Sequence, residues 1–132
     1  MKKILITGGT GFQGSNLTQS LLKDGYDVVM LNTHSTKNET NIERFNLQKA
    51  KIIWGTINDK QILKDAMNEV DLVIHTAAKI HVDDSIKHPE SYFRTNVMGT
   101  NNVLEVAKEN NIPVMHISTC EVYGFQDDDL FE

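Results

Sequence analysis

Seven residues near the start of the chain, Gly8-Gly9-Thr10-Gly11-Phe12-Gln13-Gly14, have the types and spacing to hold a phosphate. The spacing is G-x-x-G-x-x-G with an additional glycine at position 9. Glycines let a backbone turn sharply and approach a pyrophosphate closely. A helix opening at Phe12 would aim free N–H groups and the positive end of its dipole at the same phosphates. Position 32 bears on the same ligand. Dinucleotide folds place an acidic residue at the end of the second strand, on the ribose hydroxyls; this chain has Asn32. An amide can accept from a hydroxyl but lacks the charge that repels a 2′-phosphate. Between Asn32 and Asn41 there is no arginine, and Lys37 is the one cation. The expected cofactor is therefore NAD in preference to NADP.

His75, His81 and Asp83 are types that ligate metals, but no H-x-x-x-H or C-x-x-C spacing accompanies them. No metal is expected. Cys120 is the single cysteine, so no intramolecular disulfide can form, which favours a reducing compartment.

These residues need a scaffold, and the apolar pattern predicts one. Continuous apolar strands are expected at Lys3–Thr7, Asp27–Leu31, Lys51–Trp54, Asp71–His75 and Pro113–Ser118. Between them, Phe12–Lys23 has helical spacing and Gly25 stands at its C-terminus. Asp59 is placed to cap a helix running to about Glu69. Pro89 is placed to open one running to about Asn110, with Val97, Thr100, Leu104 and Ala107 along one face. Asn32–Asn41 and Ala77–Lys87 read as loops, and Ile42–Leu47 as a short helix. Asp127–Asp129 reads as a solvated charge run. Strands that are apolar throughout and separated by helices form a parallel sheet covered on both faces. The expected fold is α/β, a doubly wound sheet of five strands in the order 3-2-1-4-5.

Size and charge agree. A chain of 132 residues makes one domain. Hydrophobic residues are 39% and charged residues 23%, ordinary for a soluble globular protein. The formal charge is -5 with no long basic run, which argues against nucleic acid or an anionic membrane as partner. The apolar run after Lys2-Lys3 spans only Ile4 to Ile6, too short for a signal peptide, and no stretch approaches a membrane span. The expected location is cytoplasmic.

Four segments in order then carry a resemblance. Thr7–Ser15 looks like a TGGxGFxGS opening, His75-Thr76-Ala77-Ala78 like an HxAA segment, Asn96–Thr100 like an NxxGT helix, and Ser118–Gly124 like an S-[ST]-x-x-VYG segment. Together the chain resembles the extended short-chain dehydrogenase/reductase family, in its nucleotide-sugar epimerase and dehydratase branch. His81–Ile86 is similar to the HVDxSI stretch of sugar-nucleotide 4,6-dehydratases. The catalytic segment of those enzymes reads STDEVYG; here it reads STCEVYG, with Cys120 at the general-acid position, whereas related decarboxylases have serine followed by glutamate.

The resemblance implies NAD-dependent 4,6-dehydratase, decarboxylase or epimerase chemistry on a nucleotide sugar. It implies cofactor contacts from Gly8, Gly11, Phe12, Gln13, Gly14, Asn32, Thr76, Ala77, Ala78, Lys79 and Asn96. Thr56-Ile57 stands where the family has an aspartate and an apolar residue against adenine. It implies that Thr119 steadies the reacting oxygen and that Glu121 is a second base. Cys120 reads as a spectator or pocket-lining residue, because a thiol near its ordinary pKa of about 8.5 is a poor acid for expelling hydroxide. The family's Tyr-x-x-x-Lys pair is not in these residues; Tyr123 is followed at position 127 by an aspartate. The chain therefore reads as the cofactor-binding part, residues 1–132, of a longer enzyme, with the C-terminal substrate part absent and a homodimer as one option for the full-length protein. A non-catalytic dinucleotide-binding module is the alternative.

Overall fold

A computed structural model of the chain describes residues 2–124; the charge run at 127–129 lies outside them. Five strands form one parallel sheet: β1 Lys3–Thr7, β2 Asp27–Asn32, β3 Lys51–Trp54, β4 Leu72–His75 and β5 Val114–His116. The order is β3-β2-β1-β4-β5, as the apolar pattern predicts. Ile4 and Ile6 pair with Val28 and Met30 on one side and with Leu72 and Ile74 on the other.

Because side chains alternate across a strand, each strand feeds two cores. Leu5, Val29, Leu31 and Val73 point to one face and meet Leu63, Ala66, Val103, Val106 and Ala107. Ile4, Ile6, Val28, Met30 and Ile74 point to the other and meet Leu17, Leu21, Ile42, Phe45 and Leu47. The first face is covered by α3 (Lys60–Ala66) and α6 (Thr100–Glu109), the second by α1 (Phe12–Lys23) and α2 (Thr36–Arg44). Asp59 caps α3 by accepting from the N–H groups of Gln61 and Ile62 at 2.9 and 3.2 Å.

Three segments depart from expectation. Residues 32–41 are not a continuous loop, and the helix near 42–47 begins earlier and ends sooner, as α2. Ser35 starts it by accepting from Asn38 N–H at 3.2 Å, a cap that acts without any apolar periodicity. It ends where Asn46 turns to φ 55° and Leu47 N–H reaches back to Ile42 O at 2.9 Å, which drops Leu47 into the core. Residues 77–87 include a short helix, α4 Val82–Lys87. Val82 and Ile86 on it are exposed, so no buried stripe marks it in the sequence.

The helix expected from Pro89 is interrupted. It consists of α5 Pro89–Tyr92, a π-helical segment Phe93–Gly99, and α6. A π turn takes in an extra residue and rotates everything beyond it relative to an α-helix. The buried face is Gly99, Val103, Val106 and Ala107; Val97 and Leu104, expected to face the core, are about half exposed.

One buried polar chain crosses the sheet. Thr100 Oγ1 donates to Asn96 O at 2.7 Å and so must accept from His75 Nε2 at 2.9 Å. That puts the ring proton on Nε2 and leaves Nδ1 to accept from Thr7 Oγ1 at 2.6 Å. His75 is 1% exposed, and burial, with His116 stacked beside it, pushes its pKa from 6.5 down to about 4. The folded state therefore holds a neutral ring that the unfolded chain protonates first. Stability from this group is complete above pH 6.5 and drains away as pH falls toward about 4. Urea denaturation between these limits should show that loss in the native chain and a flatter profile in His75→Gln. An unchanged slope in the variant would assign the loss to other groups.

Candidate functional site

Crossovers leave β1 and β4 on opposite faces of the sheet, so no helix closes the gap between the carboxyl ends of these two strands. A crevice opens there. One arm, of about 270 Å³, runs toward β2 and is lined by Gly8, Thr10, Gly11, Asn32, Gly55, Thr56 and Ile57, with Thr76 to Lys79 opposite. A second arm, of about 420 Å³, shares Gly8, Gly11, Thr76 and Ala78 and continues past Phe12, Gln13 and Gly14 to Ser118 and Thr119.

The floor between the arms is the glycine turn. Gly8 sits at φ 74°, a left-handed conformation that an L side chain resists, and its N–H donates to Leu31 O at 2.8 Å. Gly14 packs directly on this turn: a Cβ there would overlap Gly8 O and come within 2.8 Å of Gly9 Cα. Gly11 is different. A Cβ there would meet only Gly8 O, at 3.1 Å, and would stand in the crevice. Gly11 is also the N-cap of α1, and no side chain caps that helix. The first N–H groups of α1 lack intrahelical partners and face the junction of the two arms.

Asn32 closes the first arm, 4% exposed. Its Oδ1 accepts from Thr10 N–H at 2.9 Å and from Thr10 Oγ1 at 3.0 Å. A backbone N–H can only donate, so the amide's orientation follows. Nδ2 is the remaining group, buried without a partner. The expectation that Asn32 accepts from a ligand hydroxyl is thereby corrected: the acceptor is already used, and the free group is a donor.

Asn96 does not line either arm. Its side chain pairs with the backbone of Lys79, accepting from N–H at 2.8 Å and donating to O at 2.9 Å. With both amide groups engaged, Asn96 holds the 77–79 wall in place. The Lys79 ammonium turns away, donating to Ser91 Oγ at 3.0 Å and lying 5.2 Å from the Tyr92 ring centre. Thr119 lies at the mouth of the second arm. Its Oγ1 accepts from Glu121 N–H at 3.3 Å as the cap of a 3-10 turn, Cys120–Tyr123, which leaves its O–H proton free to donate. Glu121 is exposed and lies outside that arm. Cys120 is exposed and free.

The crevice thus brings together Gly8, Gly11, Phe12, Gln13, Gly14, Asn32, Thr56, Ile57, Thr76, Ala77, Ala78, Lys79 and Thr119. It does not include Asn96 or Glu121. Lining residues that the sequence does not assign to the ligand include Thr10, Asn38, Gly55 and Thr95. Thr10 lies between glycines and carries no ligand signal of its own, while Asn38 and Thr95 enter through helical segments that no apolar pattern marks. Among the described residues no group of three His, Cys, Asp or Glu is placed to hold a metal, and no helix is long and apolar enough to cross a membrane.

Comparison with known proteins agrees with this geometry. The family described as GDP-mannose 4,6 dehydratase matches residues 5–132. A dTDP-glucose 4,6-dehydratase of Mycobacterium tuberculosis is 34% identical over 128 residues, covering 92% of this chain and 38% of its own length. A UDP-glucose 4-epimerase of Neisseria meningitidis serogroup B is 37% identical over 130 residues, covering 94% of this chain and 38% of its own. Among solved structures, the dTDP-glucose 4,6-dehydratase DesIV of Streptomyces venezuelae, crystallised with NAD and TYD, superposes with a TM-score of 0.88 at 33% identity. That match covers 98% of this chain and 43% of the other. The chain therefore spans about two fifths of the length of the proteins it matches. With a parallel sheet in the order 3-2-1-4-5, a glycine turn at its switch point and a family match over nearly every residue, this chain belongs to the GDP-mannose 4,6 dehydratase family of NAD-dependent epimerases and dehydratases.

Proposed function

We propose that residues 1–132 are the cofactor-binding domain of a cytoplasmic, NAD-dependent nucleotide-sugar 4,6-dehydratase, decarboxylase or epimerase. The observation that carries this reading is the shared floor of the two crevice arms, which joins the glycine turn to Thr119. The open N-terminus of α1 suits a diphosphate at that junction. A dinucleotide so held extends its adenosine toward Asn32, Thr56 and Ile57, and its other half toward Thr119. NAD, when bound, supplies the hydride acceptor for a sugar hydroxyl. The glycine turn positions the diphosphate, and Asn96 holds the Lys79 wall against it. The free Thr119 O–H donates to the substrate oxygen at the reacting carbon. Glu121 is proposed as the second base on the resemblance alone, and Cys120 as a spectator.

A second reading is a dinucleotide-binding module without catalysis. Single-turnover reduction of NAD separates the two. The 132 residues alone should bind dinucleotide and reduce none of it on addition of a sugar nucleotide. A longer reading frame that adds Tyr-x-x-x-Lys should do so. General-base catalysis contributes about 10²–10⁴-fold, so its absence is measurable. In that longer protein Thr119→Val should slow reduction, whereas Cys120→Ser should leave it largely intact. Turnover by the short chain would overturn the assignment of the base.

The glycine turn yields a separate test. Gly11→Val should leave thermal unfolding close to that of the native chain while abolishing dinucleotide binding, because the side chain enters the crevice and not the core. Gly14→Ala should lower the melting temperature, because its Cβ meets backbone. Calorimetric titration alongside thermal denaturation reads both. Undiminished binding by Gly11→Val would place the ligand elsewhere.

A further inference from the structure

We propose that His75, which lines neither arm of the crevice, is a positioning residue for the bound dinucleotide. It holds the 76–79 wall against the glycine turn from both ends, through Thr7 on one side and through Thr100 and Asn96 on the other. The inference rests on the reading of the crevice as a dinucleotide site.

The wall depends on support from outside itself. Residues 76–81 belong to no helix or strand. Yet Thr76, Ala77, Ala78 and Lys79 all line the first arm, and Thr76 and Ala78 line the second as well. A shift of this backbone therefore alters both halves of the site. Its N–H groups are held by two residues. Thr76 N–H donates to Thr7 O at 3.1 Å, Ala77 N–H to Thr7 Oγ1 at 3.4 Å, and Lys79 N–H to Asn96 Oδ1 at 2.8 Å. Thr76 Oγ1 also donates to Thr7 O, at 2.7 Å, and Asn96 Nδ2 donates to Lys79 O at 2.9 Å. The wall is thus moored to Thr7 at one end and to Asn96 at the other.

His75 is the side chain that joins those two moorings. Its Nδ1 accepts from Thr7 Oγ1 at 2.6 Å. With its proton spent on the ring, that hydroxyl keeps its lone pairs for the Ala77 N–H. His75 Nε2 donates to Thr100 Oγ1 at 2.9 Å, and the same hydroxyl donates to Asn96 O at 2.7 Å. A neutral imidazole can serve both partners at once, because one nitrogen donates, the other accepts, and they point apart. Thr7 and His75 are also register partners at the ends of β1 and β4. The fit at that level is tight: a Cβ on Gly8 would stand 2.9 Å from Ala77 Cα, so the floor has no room for the wall to move inward.

A ring that only stabilises the fold would lower the melting temperature when its bonds are cut and leave the affinity of the folded chain unchanged. A positioning ring lowers that affinity too. Titration calorimetry of the 132-residue chain with NAD, run well below each variant's melting temperature, separates the two. Thr100→Val keeps the shape of the side chain and cuts the relay from His75 to Asn96, and Thr100 lines neither arm. It should raise the Kd of NAD by about tenfold. Thr100→Ser, which keeps the hydroxyl, should restore native affinity. Asn96→Ala should also weaken binding, and adding Thr100→Val to it should cost no further affinity, because both act through one route. If melting shows Thr100→Val to be unfolded, His75→Asn takes its place: the shorter amide retains an acceptor for Thr7 and loses the Thr100 bond. Native affinity in folded Thr100→Val or folded His75→Asn overturns the proposal and leaves the dinucleotide reading standing. So does a loss in Thr100→Ser equal to that in Thr100→Val, or full additivity in the double variant. Failure of the native chain to bind NAD overturns the dinucleotide reading and this inference with it.

Discussion

In a parallel sheet wound on both faces, the two strands at the reversal send their crossovers apart, and the space above their carboxyl ends stays uncovered. Here those strands are β1 and β4, and every feature of the candidate site follows from that gap. The glycine turn leaves β1 into it. The Thr76–Lys79 wall leaves β4 into it. Thr7 and His75, the last residues of the two strands, close its base with a hydrogen bond of 2.6 Å. Buried polar groups survive in such a place only if they are satisfied. The chain from Thr7 through His75 and Thr100 to Asn96 does so with a single direction of donation.

That chain links the sheet to the crevice wall. Asn96 uses its backbone oxygen to receive the Thr100 proton and its side chain to grip Lys79. The π-helical segment that contains Asn96 is what lets one residue serve both purposes, since it offsets the helix before α6 packs on the core. π turns concentrate at functional positions because they are otherwise costly.

Among the described residues Asn32 Nδ2 and Asn58 Oδ1 are the exceptions to polar satisfaction. Leaving a buried donor unpaired costs about 1–3 kcal/mol. Under the proposed function, a ligand acceptor at the closed end of the crevice would satisfy Asn32 Nδ2. At the β5 edge Met115 is 53% exposed, and Ile117 just beyond the strand is 38% exposed. The chain spans only about two fifths of the length of the proteins it matches.

The strands, their order and the glycine turn were legible in the sequence, because continuous apolar runs and glycine spacing are local signals of burial and of sharp backbone turns. So were the capping by Asp59 and the start at Pro89. What could not be read was anything decided by contacts between distant segments. Whether Asn32 offers a donor or an acceptor depends on Thr10, twenty-two residues away, reaching its oxygen first. Whether Asn96 meets a ligand or a loop depends on the approach of Lys79, and Asn38 reaches the crevice on a helix whose cap, Ser35, has no apolar pattern behind it. The face that α6 buries was misjudged for the same reason: Val97, Thr100, Leu104 and Ala107 are as good a helical stripe as the one observed, and only the π turn and the sheet beneath chose between them. Periodicity determines that a face will be buried. Which polar atoms remain free once it is buried is a matter of who arrives beside them, and that is set by the tertiary structure alone.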